Sequence, residues 1–123
     1  MHKMKIVLPY HYTIMIITPV LQQWDIDDPA AEAPQEFNIT IARHLSQTAR
    51  HLPTALANIY KGTAANGFVV LQELVGPFGA AVFGLDKSRW QLSDGREFGP
   101  CTSVAHWRQL LSDAGFAEVY TVR

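Results

Sequence analysis

The chain has 123 residues, 48% of them hydrophobic and 17% charged, with a formal net charge of −1. That is enough apolar material for the core of one domain and too much for a disordered tail. The near-neutral balance, with no lysine/arginine stripe and no acidic run, excludes the electrostatic footprint of a nucleic-acid binder. The single cysteine, Cys101, excludes an internal disulfide and a cysteine-based zinc site.

Taken in chain order, Met1 to Leu21 reads as an N-terminal extension. Its basic start and apolar run loosely imitate a signal peptide, but Pro9 and His11 interrupt the run and no small-residue cleavage site precedes Gln22. The uninterrupted apolar stretch from Ile14 to Leu21 is shorter than the roughly twenty residues a membrane span needs. Tyr12 to Thr18, rich in β-branched and aromatic residues and limited by Pro19, reads as a strand. Trp24 to Pro29 is a polar turn, and an Ala/Glu/Pro-rich connection runs on to Glu36. Phe37 to Ala42 alternates Phe37, Ile39 and Ile41 with Asn38 and Thr40, the period of a strand.

A loop or short helical turn is expected between His44 and His51. Pro53 then suits a first helical turn, and Leu56, Ile59 and Tyr60 recur at helical spacing, with Gly62 and Asn66-Gly67 as the stop. Phe68 to Leu71 is a continuous apolar run, read as a fully buried strand and hence as the close of a βαβ unit with a parallel sheet. Gly76, Pro77 and Gly79 are read as chain breakers before a small apolar segment, Phe78 to Leu85. Asp94-Gly95 signals a turn. Ser103 caps a helix whose Val104, Trp107, Leu110 and Leu111 form one apolar face, Gly115 ends it, and Ala117 to Val122 reads as a last strand. Trp107 is assigned to the core, His106 to the solvent side, and Cys101 to a loop or half-buried position.

Three pieces carry a resemblance: QQWDIDDPA, then FNITIARHLSQTARHLPTALANIYKGTAANGFVVLQEL, then DGREFGPCTSVAHWRQLLSDAGF. Together they resemble the C-terminal part of the methyltransferase-like domain of animal-type fatty acid synthases and related polyketide synthases, over about Gln22 to Arg123. The resemblance implies an α/β fold: an incomplete class I S-adenosylmethionine-methyltransferase (Rossmann-like) sheet with the later strands and helices only. It divides the chain into an extension, 1–21, and a partial methyltransferase-like domain, 22–123. The glycine turn that would hold S-adenosylmethionine is missing, because none of the eight glycines follows a strand and opens a helix as that turn requires.

The resemblance also implies site residues. Asp25, or Asp27, falls at the adenine-side element, beside the plainer reading of a solvated acidic turn. Carbon-methylating relatives use a histidine supported by a glutamate as the base, a task that suits neutral imidazole. The glutamate corresponds to Glu73, but the histidine position is Gln47, which cannot take a proton. His44 and His51 flank it and read as surface or loop histidines. Trp90, Asp94 and Arg96 resemble a lid over the acyl substrate, beside the plainer reading of a turn with a salt-bridged arginine.

The expectation is therefore a fragment of a methyltransferase-like domain, non-catalytic and structural within a cytoplasmic fatty-acid-synthesising megasynthase. It would need no cofactor of its own and no metal, and its partners would be the other synthase domains. The alternative is the back half of an active polyketide synthase carbon-methyltransferase, using S-adenosylmethionine on a carrier-bound β-ketoacyl chain. A third reading is a small independent α/β binding module without catalysis.

Overall fold

A computed structural model describes residues 22–86, 90, 92–96 and 99–122. The expected strand at Tyr12 to Thr18 lies outside the described residues. The elements run β1 (Phe37–Arg43), α1 (Leu45–Thr48), α2 (Leu52–Lys61), β2 (Thr63–Gln72), α3 (Gly76–Phe83) and α4 (Val104–Ala114). β1 and β2 pair in parallel, and α2 is the crossover between them. The βαβ unit read from the sequence is thus present, with two strands in its sheet among the described residues.

Local chemistry sets the helix ends. His51 caps α2, its Nδ1 accepting from the Thr54 amide at 3.2 Å, and Pro53 occupies the first turn, where its missing N–H has no intrahelical partner to lose. The Ser103 hydroxyl accepts from the His106 amide at 3.1 Å and starts α4. Gly115, at φ 109°, ends that helix in a left-handed turn, with its own amide and that of Phe116 returning to Ser112 and Leu111.

The register of the two strands decides what each face does. Thr40 pairs with Val69 and Ala42 with Leu71, and this face lies against the helices. Its core joins Ala42, Leu45 and Ala49 to Leu52, Ala55, Leu56 and Ile59 of α2 and to Trp107 and Leu110 of α4. Tyr60 meets Phe116 edge to face at 5.2 Å, fastening the end of α4 to α2. Ile39 pairs with Phe68 and Ile41 with Val70 on the opposite face, where Phe68 is 55% and Val70 44% exposed.

Four expectations are corrected. The run Phe68 to Leu71 is not fully buried: it alternates, because helices cover only one face of its sheet. Asn66-Gly67 does not stop the helix but lies inside β2, at the irregularity where Phe37 pairs with Thr63 and Ile39 already with Phe68. A side chain at Gly67 would come within 2.9 Å of the carbonyls of Phe37 and Asn38, so the bulge needs glycine. Gly76, Pro77 and Gly79 do not break the chain; they form the first turn of α3, where proline is tolerated. Ala117 to Val122 forms no strand: it has no sheet neighbour to pair with among the described residues, and Tyr120 and Val122 are 82% and 94% exposed.

Candidate functional site

Ligands of parallel α/β sheets bind outside the carboxyl ends of the strands. Here those ends bring together His44 after β1, the one-turn helix α1, and Glu73 after β2. His44 holds φ 56°, the one non-glycine residue at positive φ among those described, and its amide donates to the Gln72 carbonyl at 2.9 Å. This left-handed residue reverses the chain so that the first amides of α1 face Glu73. Leu45 N donates to Glu73 Oε1 at 2.5 Å, Ser46 N to Oε2 at 3.3 Å, and the Ser46 hydroxyl to Oε2 at 2.7 Å. Glu73 therefore caps α1 from 27 or 28 residues away.

Burial pushes the Glu73 carboxyl above its ordinary value. The hydrogen bonds from Ser46 and Leu45 and the nearby His44 pull the other way without cancelling it. The two positions of the pair that the resemblance implies are linked through Ser46. Gln47 Nε2 donates to the Ser46 hydroxyl oxygen at 2.6 Å and lies 3.4 Å from Cys101 Sγ, so Gln47 reaches Glu73 through Ser46. Gln47 is buried, and an amide there relays no proton to or from substrate.

Cys101 is wholly buried rather than half-buried, set against Gly79, where a side chain would approach its sulfur to 2.8 Å. His106, expected on the solvent side, is half-buried and bonded through Nδ1 to the Thr102 hydroxyl at 2.6 Å; Trp107 is in the core as expected. His44 is also half-buried, its ring 6.1 Å from that of Phe83, and its Nδ1 has no hydrogen-bond partner among the described residues.

The other residues singled out by sequence are separated from this cluster or engaged within the chain. Asp25 Oδ1 accepts from the Asp27 amide at 3.0 Å, a local turn on the exposed surface. The Asp27 carboxylate accepts from the amides of Arg50, at 3.0 Å, and His51, at 3.3 Å. Asp94 Oδ2 takes the next amide, Leu52, at 2.7 Å. Arg96 is buried, bound at 2.8 Å to Asp94 Oδ1, and its two terminal nitrogens donate to the Ser46 and Ala49 carbonyls. Trp90 is half exposed, with its indole N–H on the Gly84 carbonyl and its ring over Gly99.

Sequence reasoning missed Ser46, the hydroxyl that joins Gln47 to Glu73, and Asn58, whose buried amide holds the carbonyls of Ile26 and Asp28. A signal for Asn58 exists: a polar side chain one residue before Ile59 on the apolar side of a helix needs a buried partner.

The described residues do not by themselves fit S-adenosylmethionine. The turn from β1 to α1 contains no glycine and is closed by Glu73. The start of α2, a natural anion site, is filled by Asp27 and Asp94. Among the glycines, Gly76, at φ 73°, follows β2 and opens α3. Its amide donates to the Thr102 carbonyl, however, and Gly79 is packed against Cys101, so that turn faces protein. No group of three or more His, Cys, Asp or Glu that could hold a metal occurs among the described residues, and none of their helices is long and apolar enough to cross a membrane.

The arrangement is an α/β fold of methyltransferase type, present in part. It matches the solved carbon-methyltransferase domain of the citrinin polyketide synthase with a TM-score of 0.64 and 25% identity, over 76% of this chain and 25% of that one. In sequence the chain is similar to fungal polyketide synthases. A non-reducing synthase of Aspergillus terreus is 34% identical over 94 residues, 72% of this chain and 4% of the relative. A non-reducing synthase of Stachybotrys chartarum is 32% identical over 98 residues, 77% and 4% respectively. A polyketide synthase–nonribosomal peptide synthetase of Aspergillus clavatus is 28% identical over 93 residues, 72% and 2%. The chain thus spans a few per cent of the length of these relatives. No family model matches it. These relatives support the polyketide synthase side of the resemblance and give no support to an animal-type fatty acid synthase.

Proposed function

We propose that this chain is part of a methyltransferase-type domain of a polyketide synthase, where it builds the wall behind the strand ends and does no chemistry alone. The observation that carries this reading is the fate of Glu73. Its carboxylate accepts from three donors of α1, and one of them, the Ser46 hydroxyl, itself accepts from the Gln47 side chain. A part-buried carboxylate held this way orders a helix, and a glutamine at the expected histidine position cannot serve as the base that forms an enolate.

The polyketide synthase relatives favour this parent over a fatty acid synthase. In such a parent the cofactor S-adenosylmethionine would be held by residues outside the matched part. The substrate would be a β-ketoacyl chain on a carrier, and the partners would be the other synthase domains. Calorimetric titration of S-adenosylmethionine into the purified chain tests the reading, with Gln47→His run in parallel. No binding heat is expected for either protein. Binding by the chain alone at a Kd below about 100 μM, roughly 5.5 kcal/mol, would overturn it.

A further inference from the structure

α3 is apolar on every side, and half of it faces outward. Its eight residues, GPFGAAVF, include no polar side chain. One side is occupied: Gly79 packs against Leu74 and the Cys101 sulfur, and the Phe83 ring lies 6.1 Å from that of His44. The other side carries a stripe, Val75, Phe78, Val82 and Leu85, running from the residue before the helix to the turn after it. Phe78 is 74% and Leu85 90% exposed, and Val75 and Val82 are close to half exposed. A helix apolar all round belongs inside a protein, and intervals of three, four and three residues are those of a seam that packs against another helix.

The order of the stripe says which helix. Its intervals read the same in both directions about residue 80, so an antiparallel second copy sets Phe78 opposite the partner's Val82 and Val75 opposite the partner's Leu85. Each pair joins a larger side chain to a smaller one, the alternation that fills a helix–helix contact. Ala81, small and exposed, lies beside the crossing point and lets the backbones approach. The stripe holds no charge, which a two-fold axis would repeat across the contact. Asp86, just past the helix, falls beside the start of the partner's α3, where negative charge is favourable. We propose that α3 is the contact of a two-fold dimer of this chain, with the helices antiparallel and Phe78 seated on the partner's Val82. The stripe supplies less than the roughly 800 Å² per partner of a stable interface, so the dimer exchanges with monomer, with a Kd of about 10–100 μM. The dimer does not depend on the functional reading above.

Sedimentation equilibrium of the full chain from about 5 to 500 μM reads the dimer, and a reversible monomer–dimer equilibrium is expected. Phe78→Asp and Val82→Asp, each present twice in the dimer, should weaken it at least about thirty-fold, the loss expected at a central apolar anchor. Both variants are expected to keep the circular dichroism spectrum of the parent chain, and either one suffices for the test. Phe78→Lys and Val82→Glu read the direction of the helices. Each alone should be largely monomeric, while their mixture should associate, because one antiparallel pair then joins an ammonium to a carboxylate and the other keeps Phe78 on Val82. Phe68→Asp, on the exposed face of β2, should leave the equilibrium unchanged. A chain that is monomeric at every concentration overturns the inference, as does a dimer that survives both aspartate variants at α3. A dimer dissolved by Phe68→Asp also overturns it, because the sheet face is then the contact. A mixture no more associated than its two components overturns the antiparallel arrangement.

Discussion

Replacing Arg96 by alanine should remove a large share of the stability of this chain. The guanidinium is buried and holds three acceptors: the Asp94 carboxylate at 2.8 Å and the carbonyls of Ser46 and Ala49. Its loss leaves the Asp94 charge buried with the Leu52 amide still donating to it but no cation beside it, a change that costs about 3–5 kcal/mol when a buried pair is broken. Each carbonyl left without a donor adds about 1–3 kcal/mol, though neighbouring losses are not additive. A total of at least about 3 kcal/mol stands against the 5–15 kcal/mol typical of a domain. Urea unfolding followed by tryptophan fluorescence and circular dichroism would read this as a fall in midpoint of about 2 M for a slope near 1.5 kcal/mol/M. Arg96→Lys should recover little, since an ammonium cannot span three fixed acceptors as a planar fork does. A loss below about 1 kcal/mol, the range for a surface residue, would refute the clamp and favour a solvent-facing lid.

Glu73→Gln should change how stability responds to pH. Burial raises the folded pKa of Glu73 above its ordinary 4.5, so the folded state binds more protons than the unfolded state in the window above 4.5. That contribution is fully present below the ordinary value and is lost as pH rises through the raised one. The variant should therefore have a flatter profile than the parent between pH 4.5 and neutrality in urea unfolding, and parallel profiles would contradict the assignment. Gly99→Ala should shift the emission of Trp90 and cost about 1–2 kcal/mol, since φ 59° disfavours any Cβ and this one would lie 2.5 Å from the indole. An unchanged fluorescence spectrum would show that Trp90 does not rest there.

Much of the fold was legible because it rests on local signals. Alternation gave β1, Pro53 and Gly62 framed α2, and Ser103 with Gly115 framed α4. The misreadings share a cause in tertiary context. Phe68 to Leu71 has the composition of a doubly buried strand, but composition cannot say that one side lacks a cover. Gly76-Pro77 breaks helices in their interior and starts them at their first turn, and only position decides which. The last strand failed because a strand needs a neighbour to bond. At the site, Glu73 and Gln47 were visible as a departure from a motif. Ser46 between them was not, because its role depends on a contact across 27 residues.

The amides at the start of α2 have a consequence for how the chain folds. Arg50, His51 and Leu52 are held by carboxylates 23, 24 and 42 residues away, on opposite sides in sequence. Each contact closes a loop that the local hydrogen bonds of α2 do not need, and so costs chain entropy that the helix itself does not. If the contacts form after the transition state, weakening them speeds unfolding more than it slows folding. The two aspartates would then act as a latch that governs how long the native chain persists, more than how quickly it is reached.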